Sequence, residues 1–273
     1  MTNLKDQSQP PQASLDQIIG HYNQGHLKQA ILLSENLAQQ YPNALILFDI
    51  LGAAYMGLGN TDKAIASYQQ ALKINPNHTD AHNNMGMALY DQGRVNEAVD
   101  SYRKAVKLEP DFADAHYNLG NALRQSGDLR AAIESYRTSI AINPDDIEVI
   151  LNFGNTWKDY GDFEQAMSCY DRVLKVDPNL SEARKNLAIV LEEKSEIDKL
   201  VNDYVKTNNL EPVSAEVINL TGALLKARGY LDAAIDSYTQ AIKLKPKIAE
   251  TYLDMGTALW NRGDTSGAID NFK

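Results

Sequence analysis

The sequence predicts an all-α chain of stacked helical hairpins, and three regularities carry the prediction. Seven of the nine prolines, Pro42, Pro76, Pro110, Pro144, Pro178, Pro212 and Pro246, stand thirty-four residues apart. Thirteen of the sixteen glycines fall into two further columns on the same period. Between these markers apolar residues recur at i, i+3, i+4 and i+7, the spacing of one helical face. Such a period signals a repeat architecture, in which 273 residues measure a row of hairpins instead of one or two globular domains.

Each element of the repeat has a mechanical reason. With the lattice prolines at position 32 of each unit, positions 4, 7, 8 and 11 form one face of a first helix, as in Phe48, Leu51, Gly52 and Tyr55. Glycine at position 15 (Gly25, Gly59, Gly93, Gly127, Gly161, Gly229, Gly263) stops that helix, because it reaches positive φ without penalty. Positions 20, 24 and 27 repeat the spacing for a second helix, as in Ala64, Tyr68 and Ala71. Small residues at positions 8 and 20 let two antiparallel helices approach, and the aromatic residue at 24 fills the space beside them. Proline at 32 ends the second helix by pushing its predecessor out of the α region. Asn43, Asn77, Asp111, Asp145 and Asn179 follow those prolines and read as N-caps of the next unit.

The units follow in order. Residues 1–10 form a polar leader expected to be disordered. Unit 11–44 carries Ser14 and Ser34 where bulkier residues pack, which suits a terminal cap with a wetter outer face. Units 45–78, 79–112, 113–146 and 147–180 keep every column. Unit 181–214 is degenerate, with Ala188 and Ser195 for the two glycines and Leu200 for the alanine at position 20. Leucine there predicts an altered helix crossing and locally changed curvature over residues 190–210. Unit 215–248 restores the pattern, and unit 249–273 is truncated. Its second helix leaves Ile269 and Phe272 without a following repeat, which reads as a fragment of a longer protein or an end that another chain covers.

Composition narrows the function. No apolar run approaches the roughly eighteen residues that span a bilayer, and the first residues lack a secretory pattern. A single cysteine, Cys169, has no internal disulfide partner and fits a reducing compartment. A formal charge of -10 opposes nucleic acid and anionic membranes as partners. A cytoplasmic location is expected.

On these columns the chain resembles the tetratricopeptide repeat family, whose length and small, aromatic and proline positions they match over residues 11–273. The resemblance implies a right-handed superhelical solenoid of about eight antiparallel hairpins, first helices lining a concave groove. Positions 2, 6, 9 and 13 lie opposite the packed stripe and would face that groove. Position 6 reads Asn84, Asn118, Asn152 and Asn186, and position 9 adds Asn121 and Asn155. Position 2 reads Asp80, Asp114, Glu148, Glu182, Glu216 and Glu250. An amide both donates and accepts, so a ladder of asparagines can pair with a peptide backbone whatever its side chains. The segments AHNNMGMAL (81–89) and AHYNLGNAL (115–123) are similar to the superhelical region of O-linked N-acetylglucosamine transferases. That resemblance implies a polypeptide-holding role for Asn84, Asn118, Asn152 and Asn186. The alternative is that these amides bond to one another and only stabilise stacking.

The acidic column, with Asp80, Asp114 and Glu148 at its centre, suits basic partners, although carboxylates in a first helical turn also answer the helix dipole. Ile46, Ile50 and Ala53, with Leu220 and Ala223, are candidate apolar pockets. A clamp for a C-terminal carboxylate is not expected, because position 2 is acidic where such a clamp needs lysine. His82 and His116 lie in the packing stripe and read as packed residues, not a metal site. Cys169 reads as a partly buried thiol. No catalytic residue, metal or cofactor is expected. The leading reading is a protein-interaction scaffold that binds an extended segment in the groove. One alternative is the substrate-recognition arm of a larger glycosyltransferase-like or sulfotransferase-like enzyme; the other is self-association through the C-terminal end.

Overall fold

The computed structural model describes residues 9–272 and contains fifteen α-helices among them. Residues 1–8 of the expected leader lie outside the described residues; Pro10, assigned to it, is buried. The chain divides into two compact units at Pro144 and Asp145.

The first unit holds four hairpins: α1 (Gln12–Asn23) with α2 (Leu27–Gln40), α3 (Leu45–Gly57) with α4 (Thr61–Ile74), α5 (Thr79–Asp91) with α6 (Val95–Leu108), and α7 (Ala113–Gln125) with α8 (Leu129–Ile142). The glycine and tyrosine columns meet inside each hairpin. A Cβ on Gly120 would lie 2.8 Å from the Tyr136 ring, so a side chain there would displace the ring. Gly52 faces Tyr68, and Gly86 faces Tyr102, in the same way. The first hairpin exchanges the sizes, with Ile18 at position 8 and Ser34 at position 24. Both are fully buried, so Ser34 is a core residue and does not make the outer face wetter.

Turns close by two recurring bonds. At each position-15 glycine φ is positive, +86° at Gly127, and the following amide bonds the carbonyl five residues back, as Asp128 N–H does to Leu123 at 3.0 Å. That is the Schellman closure, which satisfies a carbonyl at the helix end. Between hairpins the proline sits second in a β-turn: His78 N–H reaches Asn75 O, and Phe112 N–H reaches Glu109 O, each at 3.2 Å. Proline pre-sets φ for that place, and Asn or Asp is favoured in turns. The N-cap therefore falls one residue later than the sequence suggests. Asn43, Asn77, Asp111, Asp145 and Asn179 are turn residues, and the caps are Ala44, His78, Phe112, Asp146 and Leu180. Of these five, Asp146 caps with its side chain, accepting from Glu148 and Val149 N–H.

The second unit begins with the hairpin of α9 (Ile147–Tyr160) and α10 (Phe163–Val176) and ends with α12 (Ala215–Ala227), α13 (Leu231–Leu244), α14 (Ala249–Arg262) and α15 (Thr265–Phe272). Between them the sixth repeat is one 28-residue helix, α11 (Ser181–Asn208). The expected turn at Ser195 does not form. A serine there has no cheap access to positive φ, and the surrounding Glu192, Glu193, Lys194 and Glu196 are good helix formers. The Schellman closure appears fourteen residues later. Asn209 takes φ 51°, and Leu210 N–H bonds Val205 O at 3.1 Å. This departure exceeds the change of curvature expected from the sequence, because the hairpin is opened.

Opening sends α12 back along the C-terminal half of α11. Arg228, just past the end of α12, pairs with Glu193 and Glu196 near the middle of α11, each at 3.2 Å. The α12–α13 turn then meets the α9–α10 turn. Tyr160 Oη donates to Asp236, Phe163 stacks edge-on against Tyr230 with centroids 5.1 Å apart, and a Cβ on Gly161 would meet the Cβ of Tyr230 at 2.7 Å.

Candidate functional site

In the first unit, Asn84 on α5 and Asn118 and Asn121 on α7 are half-buried, and each is held at one end. Their organiser is Asn83, buried at position 5. Its Oδ1 accepts from Asn118 Nδ2 at 3.1 Å, and its Nδ2 donates to Asn84 Oδ1 at 3.4 Å. On the same helix as Asn118, Asn121 Oδ1 accepts the Tyr136 hydroxyl at 2.6 Å. These bonds fix the amide planes and leave the other ends, Asn84 Nδ2, Asn118 Oδ1 and Asn121 Nδ2, without a partner among the described residues. Asp80 and Asp114 stand exposed in the first turns of the same two helices. Met87, one turn beyond Asn84 and exposed, supplies an apolar surface beside them.

The second unit uses the same columns differently. Asn155 is 4% exposed and makes three internal bonds: its Oδ1 accepts from Tyr170 Oη and Asn186 Nδ2, both at 2.8 Å, and its Nδ2 donates to Glu182 at 3.0 Å. Asn186 is also buried and accepts from Lys158 Nζ at 3.3 Å. These two amides and Glu182 tie α9 to α11, which is the stacking role offered above as the alternative. Asn152 is half-buried and engaged within the fold, and Glu148 is exposed in the first turn of α9.

Two further groups were only partly legible. His82 and His116 each place Nε2 2.9 Å from the carbonyl of the proline six residues earlier, Pro76 and Pro110; Tyr252 donates its hydroxyl to Pro246 O at 3.2 Å. In these three repeats position 4 therefore latches a helix to the turn before it. Burial pushes the Cys169 thiol up to about 11, and the opposing influence of Arg172 is smaller, so the thiolate is scarce near neutrality. Among the described residues no cluster of potential metal ligands occurs, and no helix is long and apolar enough to cross a membrane. Of the candidate apolar positions, Ile46 is exposed while Ile50 packs against the core of the first hairpin.

With hairpins, closing turns and amide rows in place, the class is defined. Residues 52–93, 86–123 and 222–272 match a TPR repeat family, and residues 113–146 and 147–180 each match a tetratricopeptide repeat family. The chain belongs to the tetratricopeptide repeat family, whose helical hairpins serve as protein-interaction scaffolds. No curated protein matches its sequence. Among solved structures, a tetratricopeptide repeat protein from Parabacteroides merdae is 15% identical, with TM-score 0.60, covering 91% of this chain and 98% of its own. MamA from Desulfovibrio magneticus, residues 41 to the end, is 20% identical with TM-score 0.59, covering 65% and 99%. YrrB, described as a TPR protein with an unusual peptide-binding site, is 16% identical with TM-score 0.51, covering 80% and 95%. At these identities the likeness is one of fold.

Proposed function

We propose that the first unit binds an extended polypeptide along α5 and α7, with Asn84, Asn118 and Asn121 pairing to its backbone. The observation that carries the reading is the half-used state of these amides. Each is oriented by one internal bond and offers its remaining group on an accessible surface. Preorganised amides lose little entropy on binding, and a peptide backbone supplies matching donors and acceptors. Asp80 and Asp114 favour lysine or arginine in the bound segment, and Met87 favours an apolar side chain between them. That a structural neighbour is described as having a peptide-binding site agrees with this reading.

The test is selection of peptides from an unbiased displayed library on the full chain, followed by titration of a selected peptide into Asn84→Ala/Asn118→Ala. Two lost hydrogen bonds at about 0.5–1.5 kcal/mol each, about 1–3 kcal/mol together, predict binding weaker by roughly five- to 150-fold. Affinity should also fall as salt is added, since the carboxylates are exposed. Equal affinity for the double variant would overturn the amide reading.

A further inference from the structure

The sixth repeat leaves a helix-sized face uncovered. In five of the seven closed repeats position 11 of the first helix is buried: Leu123 is 4% exposed. The counterpart on α11, Leu191, is 47% exposed. Ala188 is exposed as well, in the column where glycine elsewhere lies beneath an aromatic ring. The second half of the sixth repeat does not close over this face. Position 20 is alanine at 0% exposure in the seven other repeats, and here it is Leu200, so closing the hairpin would force a leucine into a space that fits a methyl group.

A cavity of about 320 Å³ continues the face. Lys194 and Ile197, one and two turns beyond Leu191, line it together with Phe163 and Leu225. Its charged lining is four carboxylates, Asp162, Glu164, Asp198 and Asp236, against Lys194, which already pairs with Asp198 at 2.7 Å and Glu164 at 3.7 Å.

We propose that this face binds an amphipathic helix from another protein, seated where a second repeat helix would lie. Six of the seven closed hairpins define the complement: a small residue facing the first helix and an aromatic residue four positions later, which here would lie over Ala188. A basic side chain of the same helix meets the acidic cavity. A second copy of the chain is not the occupant, because its own second helices are each seated in a hairpin, and its α11 presents Leu200 where the slot takes alanine. This site is separate from the amide surface on α5 and α7 and uses a different mode, helix in groove instead of extended strand.

The probe is a helix-stapled peptide of residues 95–108, VNEAVDSYRKAVKL, which carries the required Ala98, Tyr102 and Ala105 with Arg103, Lys104 and Lys107. Fluorescence anisotropy against the full chain should show saturable binding, at least about tenfold weaker for Leu191→Glu and unchanged for Asn118→Ala. Leu191 is exposed, so its variant should melt like the parent. Absent binding, or equal binding to Leu191→Glu, overturns the proposal. Spin labels at Arg184→Cys and Thr207→Cys in a Cys169→Ser background give an independent check. Serine is what this column carries at Ser67, Ser101, Ser135 and Ser237. A continuous helix sets the labels about 35 Å apart at 1.5 Å per residue. A separation under about 20 Å would mean a closed hairpin and would also overturn the proposal. So would a dimer in light scattering that Leu191→Glu dissolves, since the face would then belong to a second copy.

Discussion

Residues 113–146 and residues 181–214 have the same length and begin with first helices that both bury positions 3 and 10 (Ala115 and Ala122, Ala183 and Val190), yet one folds back on itself and the other does not. In the former, Gly127 takes the left-handed turn, Gly120 admits the Tyr136 ring, and Ala132 disappears between the helices. In the latter, Ser195, Ala188 and Leu200 stand at those three places, and the backbone runs straight for 28 residues. The difference teaches that the hairpin is a joint decision of turn and interface. The turn needs a residue that accepts positive φ, and the interface needs two small residues opposite one ring. With both conditions lost, a continuous helix keeps its backbone bonds and avoids overpacking.

The largest expected effect tests whether the aromatic column holds one hairpin and not the other. Tyr136→Ala should cost about 3–5 kcal/mol in urea unfolding, as for other buried aromatics, and it strips Asn121 of its donor. Tyr204→Ala, in the same column of the open repeat and only half-buried, should cost less than half as much. Equal costs would break the comparison.

A smaller effect separates the two uses of asparagine. Asn155→Ala removes the acceptor of the Tyr170 hydroxyl and of Asn186 Nδ2 in a buried site, so a loss of about 1–3 kcal/mol is expected. Asn118→Ala removes one bond and leaves one acceptor, Asn83 Oδ1, without its donor, so a smaller loss of about 1 kcal/mol is expected. If the two losses were alike, the division between stacking amides and binding amides would fail.

The smallest effect concerns the latch at position 4. His82 is buried, and desolvation holds its pKa below the ordinary 6.5. The unfolded chain then binds more protons between the lowered value and 6.5, so stability rises with pH through that window and is lost as pH falls through it. His82→Tyr keeps the bond to the proline carbonyl, as Tyr252 does, without titrating there. Its Tm should gain on that of the parent as pH is lowered from about 7 to about 5. A constant difference would show that the ring does not titrate with folding. Arg184 of the open repeat bonds Asn179 instead of the proline carbonyl, and the latch is formed by His82, His116 and Tyr252, where position 4 carries a polar ring.

Much of this was legible in the columns. Thirteen glycines on two lattice positions announce turns and close contacts before any coordinate is known. The departures at Ala188, Ser195 and Leu200 were visible too, but whether they bend the hairpin or open it depends also on how α10 and α12 pack against α11. Asn83 was missed as the organiser of the candidate site. Its main partner, Asn118, is 35 residues away, and no local spacing reveals which amide in a ladder turns inward. The caps were misplaced by one residue because proline and its follower spend their conformations on the β-turn.

By itself the sequence determined the period, the helical faces, the turn positions and the pairing of glycine with tyrosine, since each depends on neighbours within one hairpin. Tertiary structure alone decided which amides remain open and which are consumed, and that the sixth repeat opens to leave a face and a cavity. Those outcomes depend on helices one or two repeats apart competing for the same donors and the same space.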